Sequence, residues 1–325
     1  MDLALELLGL TKTFANTVAL DKLDLSVARG TMCGLIGPSG SGKTTTIRLI
    51  MSILFPDSGT LQVLGKASAL QAKDGIGYLP EERGAYRRMT VSGFLSYIGR
   101  LKGGARAEVQ TRASDLLARL GLADAGGKRC QDLSKGMLQR VQFVAAIINQ
   151  PDLLILDEPF SGLDPMSVRL LKELIAQEHK RGATILFSTH VMTHAEELCD
   201  RIVMLHQGRK VLDAPMSGLR RQYDRRRILF EPLQDSLDPD WLMSVPGVEQ
   251  VERTGEAYEV RLAAGSDPGE AMRAIASRVA PARMELARIR LEDVFIQLVT
   301  GADGRNDSVR ALRTHLRGHE EGVAA

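Results

Sequence analysis

The N-terminal part of the chain alternates between apolar and polar positions, and this period is typical of β-strands with one buried face. The alternation predicts short strands over about residues 4–36, in the segments ALELLGLTKTF, ALDKLDLSVARG and TMCGLIG. A turn followed by another strand is expected in FPDSGTLQVLG. Apolar positions take up helical spacing in TTTIRLIMSIL, and residues from about 90 to 150 are expected to be mostly helical.

Two later segments, DLLILDEP and RGATILFSTH, are short and continuously apolar. Strands of this kind are buried on both faces, and they occur where helices cover a parallel sheet on both sides. We therefore expect an α/β fold built on a sheet of this type.

The pattern changes near residue 215 and predicts a second, smaller domain of α+β type, resembling a ferredoxin-like fold. Its expected strands lie around Val248–Arg253, Tyr258–Leu262 and Met284–Ile289, and its expected helices over Pro268–Val279 and Leu291–Val299. The predicted division is a first domain over residues 1–217, a small α+β domain over 218–300, and a polar tail over 301–325 that we expect to be disordered.

Composition adds constraints on compartment and partners. The chain has 325 residues, 44% of them hydrophobic and 25% charged, with a formal net charge of +2. This near-neutral balance gives no general reason to expect a nucleic acid as partner. The three cysteines, Cys33, Cys130 and Cys199, lie far apart and fit neither a disulfide framework nor a metal motif. Reduced thiols in a cytosolic compartment are therefore expected.

The chain shows no signal of insertion into a membrane. Its first residues include early acidic positions and no basic region, so a signal peptide is not expected. No apolar run approaches the roughly 20 residues that a membrane-spanning helix needs. We expect the chain itself to be cytosolic.

A glycine-rich stretch follows the third predicted strand and precedes a predicted helix. Its sequence, GPSGSGKT, fits the phosphate-binding pattern G-x-x-x-x-G-K-[ST]. Glycines allow the backbone N–H groups to point at phosphate oxygens, and the following helix adds its positive end. The candidate binding residues are Gly37, Pro38, Ser39, Gly40, Ser41, Gly42, Lys43, Thr44 and Thr45. A flexible surface loop is the poorer interpretation, because the strand and helix context is also present.

Two of these residues have specific expected roles. Lys43 would reach the β- and γ-phosphates, and the Thr44 hydroxyl would bind Mg²⁺. A second metal-binding group is expected at Asp157, which ends the apolar strand LLIL and would bind Mg²⁺ through water. Glu158 could then orient and deprotonate the attacking water. The alternative for Asp157 and Glu158 is a pair of acidic residues that merely ends a strand.

Further segments identify the type of phosphate-binding protein. DLSKGMLQRV lies shortly before Asp157, FSGLDP follows it, and STH ends at His190. With LTKTF near the start, these motifs in this order resemble ABC ATPases over about residues 4–215. The resemblance implies a P-loop NTPase fold of the ABC type, with a mixed sheet core and a helical subdomain, that binds ATP and Mg²⁺.

The resemblance also assigns roles to individual residues. Phe14 would stack on adenine, and His190 would contact the γ-phosphate as the switch histidine. Ser134, Lys135 and Gly136 would form the signature that faces the γ-phosphate of the opposite subunit. Each has an alternative role: Phe14 as a core aromatic, Ser134 and Gly136 as a helix cap, and His190 with His194 as a metal pair, although no third ligand is evident.

Two departures from the family pattern stand out. Lys135 replaces the second glycine of the signature, and Met137 replaces its glutamine. Glu81, followed by Glu82, stands where the family has a glutamine that senses Mg²⁺ and couples to the membrane subunit. Since a carboxylate can bind Mg²⁺ more strongly than an amide oxygen, Glu81 is retained as a candidate nucleotide and metal residue.

The chain holds one phosphate loop and one signature, which in this family is half of a working pair. A homodimer is the simplest arrangement, and a heterodimer with a related ATPase is the alternative. LPEERGAYRRMTV, LSKGM and RIRLEDVFIQLV resemble the ATPases of ABC exporters of the sodium- and drug-efflux type. The resemblance implies a separate transmembrane permease, contacted around Phe94 and Tyr97 unless these pack inside, and a peripheral position on the cytoplasmic face of the plasma membrane.

Two other functions remain open at this stage. One is an ABC ATPase acting on ribosomes or DNA, although the chain lacks a second cassette and a heptad-rich insertion, and its charge gives no nucleic-acid footprint. The other is a regulatory ATPase of a membrane complex without transport. The sequence does not indicate a transported substrate.

Overall fold

The computed structural model describes residues 2–82, 84, 86–222, 227–233, 239–263, 265–286 and 290–300. The described residues divide into two compact units, one comprising those up to Pro215 together with 295–300, the other comprising those from Met216 to Val294. The tail for which disorder was predicted, residues 301–325, lies outside the described residues.

The strands, in chain order, are β1 (Leu3–Phe14), β2 (Thr17–Ala28), β3 (Met32–Ile36), β4 (Ser58–Val63), β5 (Ile76–Leu79), β6 (Leu153–Asp157), β7 (Thr184–Thr189), β8 (Arg201–His206), β9 (Arg209–Pro215), β10 (Arg227–Pro232), β11 (Val248–Thr254), β12 (Ala257–Leu262) and β13 (Pro281–Leu286). The α-helices are α1 (Lys43–Ile50), α2 (Val91–Leu101), α3 (Arg106–Arg119), α4 (Lys135–Ile147), α5 (Pro165–Lys180), α6 (Met192–Leu198), α7 (Met216–Gln222), α8 (Pro268–Arg278) and α9 (Leu291–Thr300).

The core of the first unit is a six-stranded sheet in the order β5-β6-β7-β3-β8-β9. The neighbours from β5 to β8 pair in parallel, and β9 adds an antiparallel edge. Every residue of β3, β6 and β7 is buried, which agrees with their continuously apolar sequences. The parallel arrangement predicted from these sequences is therefore present, within a sheet that is mixed.

A separate three-stranded antiparallel sheet has the order β2-β1-β4. Its strands β1 and β2 are 12 residues long each, so the prediction of short strands was wrong for this pair. The register of β1 against β2 shifts between Leu7 and Leu10, next to Gly9 at φ 58°. A β-bulge of this kind interrupts the apolar alternation without ending the strand.

The segment expected to be mostly helical contains α2, α3 and α4. Helix α2 begins after Thr90, whose hydroxyl accepts a hydrogen bond from the Gly93 N–H at 3.1 Å. Helix α4 begins after Ser134, which caps the Met137 N–H in the same way at 3.2 Å. The sequence therefore places both helix starts at residues with a capping hydroxyl.

The second unit contains an antiparallel sheet in the order β11-β12-β10-β13. This is the ferredoxin-like strand order, with a 3₁₀ helix over Pro239–Ser244 in place of the first α-helix. Helix α8 is capped by Asp267 and packs Ala271 and Ile275 into the core with Phe230. The predicted strand end at residues 287–289 lies outside the described residues. The predicted domain boundary, after residue 217, falls inside α7.

The described residues include no helix that is long and apolar enough to cross a bilayer. Cys33, Cys130 and Cys199 are all buried and free of disulfides.

Candidate nucleotide site

The carboxyl ends of four neighbouring parallel strands bring the candidate residues to one edge of the central sheet. Strand β3 leads into the glycine-rich loop, β5 is followed by Glu81, and β6 ends at Asp157. Strand β7 lies between β6 and β3 and leads directly to His190. Open α/β sheets bind ligands at this edge.

The glycine-rich loop requires glycine at two positions. Gly37 has φ 153°, and a Cβ there would lie 2.2 Å from the Leu205 carbonyl oxygen. Gly42 has φ 107° and would place a Cβ 2.7 Å from the Leu20 side chain. Gly42 is also the N-cap of α1 and provides no side chain for the first-turn N–H groups. The loop and the helix start therefore offer backbone donors to an anion.

Lys43 lies buried at the centre of the site. Its ammonium donates hydrogen bonds to the carbonyl oxygens of Gly37, at 2.7 Å, and Pro38, at 3.1 Å. Burial lowers the pKa of Lys43, although the charges of Glu158, Asp157 and Glu81 act in the opposite direction. Because an ammonium has three donors, one remains that can reach a phosphate.

Asp157 is 1% exposed at the end of β6. Its Oδ1 accepts a hydrogen bond from the Ser188 hydroxyl, and its Oδ2 is buried without a partner among the described residues. Burial raises the pKa of Asp157 to about 6, assisted by the charges of Glu81 and Glu158 and opposed by the Ser188 bond and Lys43. A carboxylate in this position is poised to gain a cation.

Glu158 and His190 form a tight pair. Glu158 Oε1 accepts hydrogen bonds from the His190 backbone N–H at 2.9 Å and from His190 Nδ1 at 2.8 Å. This bond to the carboxylate raises the pKa of His190, against the effect of burial. Glu158 has φ 48°, a left-handed conformation that costs a side-chain-bearing residue about 1–3 kcal/mol. Backbone strain of this kind clusters at functional sites.

Thr44 and Glu81 face each other across the edge, with the Thr44 hydroxyl 3.5 Å from Glu81 Oε2. The next residue, Glu82, instead forms an exposed ion pair with Arg48 at 2.8 Å. Thr45 is half-buried in the first turn of α1. The two adjacent glutamates thus have different partners.

The signature residues lie apart from this cluster. Ser134 and Lys135 are exposed at the start of α4, and a Cβ on Gly136 would contact Leu163 at 3.4 Å. Within the described part of the chain, no hydrogen bond or ion pair joins Ser134, Lys135 or Gly136 to the glycine-rich loop. Gly40 and Ser39 are exposed as well, and Ser41 is buried with an unpartnered hydroxyl.

Phe14 ends β1 and is 44% exposed, which does not fit the alternative of a core aromatic. The Lys12 ammonium lies 5.6 Å from the centre of its ring. An exposed ring next to a cation is suited to stacking.

The alternative of a His190–His194 metal pair gains no support. The described residues include no group of three or more His, Cys, Asp or Glu side chains that could hold a metal. Burial lowers the pKa of His194 to about 4, and its ring packs edge-on against Phe160 at 4.9 Å. His194 therefore acts as a packed, neutral side chain.

Sequence reasoning missed three polar residues that support the site. Ser188 bonds Asp157 and also accepts from the Glu158 N–H at 3.3 Å. Gln139 and Gln142 of α4 donate to the carbonyl oxygens of Pro159 and Gly84, each at 2.7 Å. Ser188 is the first letter of the STH motif, so its sequence position was a usable signal. Gln139 belongs to the DLSKGMLQRV segment, so its position was also a usable signal, whereas Gln142 had none beyond its helical spacing on α4.

Comparison with protein families identifies two regions of the chain. A family model described as "ABC transporter" matches residues 20–161. A second, described as "ATP-binding protein DrrA1-3-like, C-terminal domain", matches residues 215–299. The first match includes Lys43, Asp157 and Glu158, and the second begins at the last residue before the division between the compact units.

Relatives extend over most of the chain. It is 36% identical to "Uncharacterized ABC transporter ATP-binding protein YhaQ" of Bacillus subtilis (strain 168), over 89% of this chain and 96% of that protein. It is 33% identical to "Nod factor export ATP-binding protein I" of Mesorhizobium japonicum, over 91% of this chain and 86% of that protein. A solved "Structure of ATP binding subunit of ABC transporter" matches with a TM-score of 0.63 and 33% identity, over 68% of this chain and 93% of that one. The predicted fold class is confirmed.

The raised pKa of Asp157 predicts a specific pH dependence of stability. Folding raises this pKa from 3.8 to about 6. Protonation of Asp157 therefore adds to the free energy of unfolding, fully so below about pH 4. This stabilisation is lost as the pH rises through 6. Asp157→Asn removes the charge. In chelator and without nucleotide, the variant should exceed the wild type by about 2–3 kcal/mol in free energy of unfolding at pH 7. The excess should vanish towards pH 4, as measured by urea denaturation.

The control for this experiment is Asp124→Asn, which changes an exposed aspartate. Its stability should follow that of the wild type across the same pH range. A difference between Asp157→Asn and wild type that is constant with pH, or of opposite sign at pH 7, would contradict the assignment.

Proposed function

The chain belongs to the ABC transporter ATP-binding proteins, which hydrolyse ATP to drive transport, and we propose that its sheet edge is the site where ATP and Mg²⁺ bind and react. The observation that carries this proposal is the Glu158–His190 pair beside Asp157 and Lys43, at the end of four parallel strands. Residues 1–217 form the ATP-binding domain in this proposal, and residues 218–300 an accessory domain.

The glycine-rich loop binds the phosphates through its backbone N–H groups and the remaining donor of Lys43. The available donors fit Mg²⁺, because the Thr44 hydroxyl, the Glu81 carboxylate and the unpartnered Asp157 Oδ2 are hard oxygen ligands at one edge. Bound Mg²⁺ would neutralise charge on the phosphate oxygens. Phe14 stacks on the adenine ring from its exposed position.

Glu158 acts as the general base in this proposal. Both hydrogen bonds from His190 end on Oε1, and we assign Oε2 to the attacking water. The strained backbone of Glu158, and the hydrogen bonds that its N–H donates to the hydroxyl and carbonyl oxygens of Ser188, fix the carboxylate before substrate binds. His190 senses the γ-phosphate in this proposal. Because its ring is hydrogen-bonded to the base Glu158, loss of the phosphate changes the environment of both residues.

A second ATPase subunit completes the site. Ser134, Lys135 and Gly136 lie at an exposed helix start, where the capping serine and the positive helix end suit an anion. Because no hydrogen bond or ion pair joins these residues to the glycine-rich loop of their own chain in the described structure, we propose that they face the nucleotide of a partner subunit. A homodimer is the simplest form, since one chain supplies both halves.

A transmembrane permease is the proposed membrane partner, docked in a groove of about 580 Å³ on the first unit. The groove is mostly apolar, with Leu70, Tyr86 and Ile98 in its wall and Lys73 and Lys102 as cationic groups. None of the described residues that line it is acidic. This combination favours a permease segment that is apolar on one side and carries a carboxylate.

The residues named from sequence as permease contacts differ in exposure. Phe94 lines the groove but is only 5% exposed, so it packs mainly within the domain. Tyr97 is 42% exposed and lies edge-on to Tyr86, with ring centres 5.4 Å apart. We propose that Tyr86 and Tyr97 form the outer contact.

Export is the proposed direction of transport, supported by the relative whose name describes Nod factor export. The chain then lies peripherally on the cytoplasmic face of the plasma membrane. Its near-neutral charge gives no support for the alternative of a nucleic acid partner.

Replacing the proposed base tests the chemistry. Glu158→Gln keeps the size and most hydrogen bonds of the side chain but removes its basicity, so hydrolysis should fall by about 10²–10⁴-fold. ATP affinity should stay within about threefold of the wild type, measured by equilibrium binding of a fluorescent ATP analogue. Glu173→Gln, an exposed glutamate that pairs with Arg169, is the matched control. Turnover by Glu158→Gln close to the wild-type rate would show that another group is the base.

Introducing a charge into the groove tests the membrane partner. Leu70 is 67% exposed in the single chain and would be buried in the complex with the permease. An unpaired carboxylate there is costly to bury. Leu70→Glu should therefore reduce recovery of a multi-span protein from detergent-solubilised native membranes by at least about tenfold. ATP binding by the purified chain should be unchanged. Leu233→Glu, at the same 67% exposure but outside the groove, should have no effect. Equal recovery with both variants would reject the groove as the docking site, and recovery of ribosomal proteins without a membrane protein would reject the permease.

A further inference from the structure

Glu81 gives the nucleotide site a second protein carboxylate next to Asp157. We propose that the site therefore takes up a divalent cation before any nucleotide binds, with Thr44, Glu81 and Asp157 as its protein ligands. This inference rests on the proposed function in one respect, because it concerns the same site. The ligand class is a small hard cation such as Mg²⁺ or Mn²⁺.

The strand register brings the two carboxylates to the same level of the edge. Strands β5 and β6 are parallel neighbours, and Leu79 pairs with Leu156. Asp157 is the next residue on β6, and Glu81 lies just beyond β5. From the first turn of α1, the Thr44 hydroxyl reaches Glu81 Oε2 at 3.5 Å. Side chains with oxygen ligands, from three different segments, thus lie at one edge of the sheet.

An independent observation points to a missing ligand. Asp157 is 1% exposed, yet its Oδ2 has no hydrogen-bond partner among the described residues. A buried carboxylate oxygen without a partner is costly, because it has lost its water without gaining a donor. A cation at this oxygen would remove that cost.

The local charges also favour a cation. Within the described structure, neither Glu81 nor Asp157 has an ion pair with a basic side chain, and His190 is already paired with Glu158. Lys43 donates to the carbonyl oxygens of its own loop. Its single charge lies among the three carboxylates Glu81, Asp157 and Glu158, which leaves the site with excess negative charge.

The chemistry of Glu81 sets the order of binding. A neutral amide at this position would offer one carbonyl oxygen, whereas a carboxylate offers a full charge to a hard divalent ion. The described residues contain no site built from three or more His, Cys, Asp or Glu side chains. Two carboxylates and a hydroxyl leave most coordination positions to water, so the protein binds the ion weakly and phosphate oxygens can replace the water. With the ion in place, the Glu81 charge no longer repels the phosphates.

Nucleotide-free binding of Mn²⁺ tests the inference. The free-ion EPR signal of Mn²⁺ is titrated with wild-type protein, Glu81→Gln and Glu82→Gln. Wild-type protein should bind about one Mn²⁺ per chain, and Glu81→Gln should weaken binding by at least about tenfold. Glu82→Gln is the matched control, since it removes the same charge one residue away, from an exposed pair with Arg48. It should bind within about twofold of the wild type, and circular dichroism should show that all three proteins are folded.

Two outcomes would overturn the inference. One is wild-type protein that leaves the free Mn²⁺ signal unchanged up to millimolar concentrations, and the other is equal affinity of Glu81→Gln and wild type. Either result would leave the proposed ATP hydrolysis standing, because that proposal depends on Glu158. Conversely, loss of the Glu158 assignment would not change the Mn²⁺ titration.

Discussion

The concentration of charge at the carboxyl edge of the central sheet is the constraint on which the site depends. Strand β5 leads to Glu81, and β6 leads to Asp157 and Glu158 at the same edge, where Lys43 provides an opposing charge. Burial adds to the cost, as the raised pKa of Asp157 shows. The folded protein therefore maintains a site that is electrostatically unfavourable alone and becomes favourable when a cation and phosphates bind.

The scaffold tolerates this cost because the strands beneath the edge are anchored in the core. All residues of β3, β6 and β7 are buried, and their apolar side chains supply burial that offsets the unfavourable edge. The same rigidity holds Glu158 at its positive φ and keeps its carboxylate on His190. Stability in the strands thus makes strain at their ends possible.

Much of the site could be predicted because its residues directly follow apolar strands. Lys43, Asp157 and His190 each come shortly after such a segment, so a linear pattern indicated a shared edge. The order β5-β6-β7-β3 could not be read, because neighbours in the sheet are not neighbours in the chain. Leu70, Tyr86 and Lys102 line one groove from three separate segments, and this grouping likewise depends on the tertiary fold. The full length of β1 could not be predicted, because the bulge near Gly9 breaks the alternation of apolar and polar positions by which a strand is recognised.

The exposed signature at the start of α4 leaves each chain with both halves of a site, but no hydrogen bond or ion pair joins them in the described structure. The proposed mechanism requires that the signature of one copy meets the glycine-rich loop of a second copy. The most direct measurement is the mass of the Glu158→Gln protein in solution by light scattering, with ATP and Mg²⁺ and then with ADP. We expect twice the mass of one chain with ATP and the mass of a single chain with ADP. A single-chain mass while ATP is bound at one molecule per chain would contradict a site completed by a second copy.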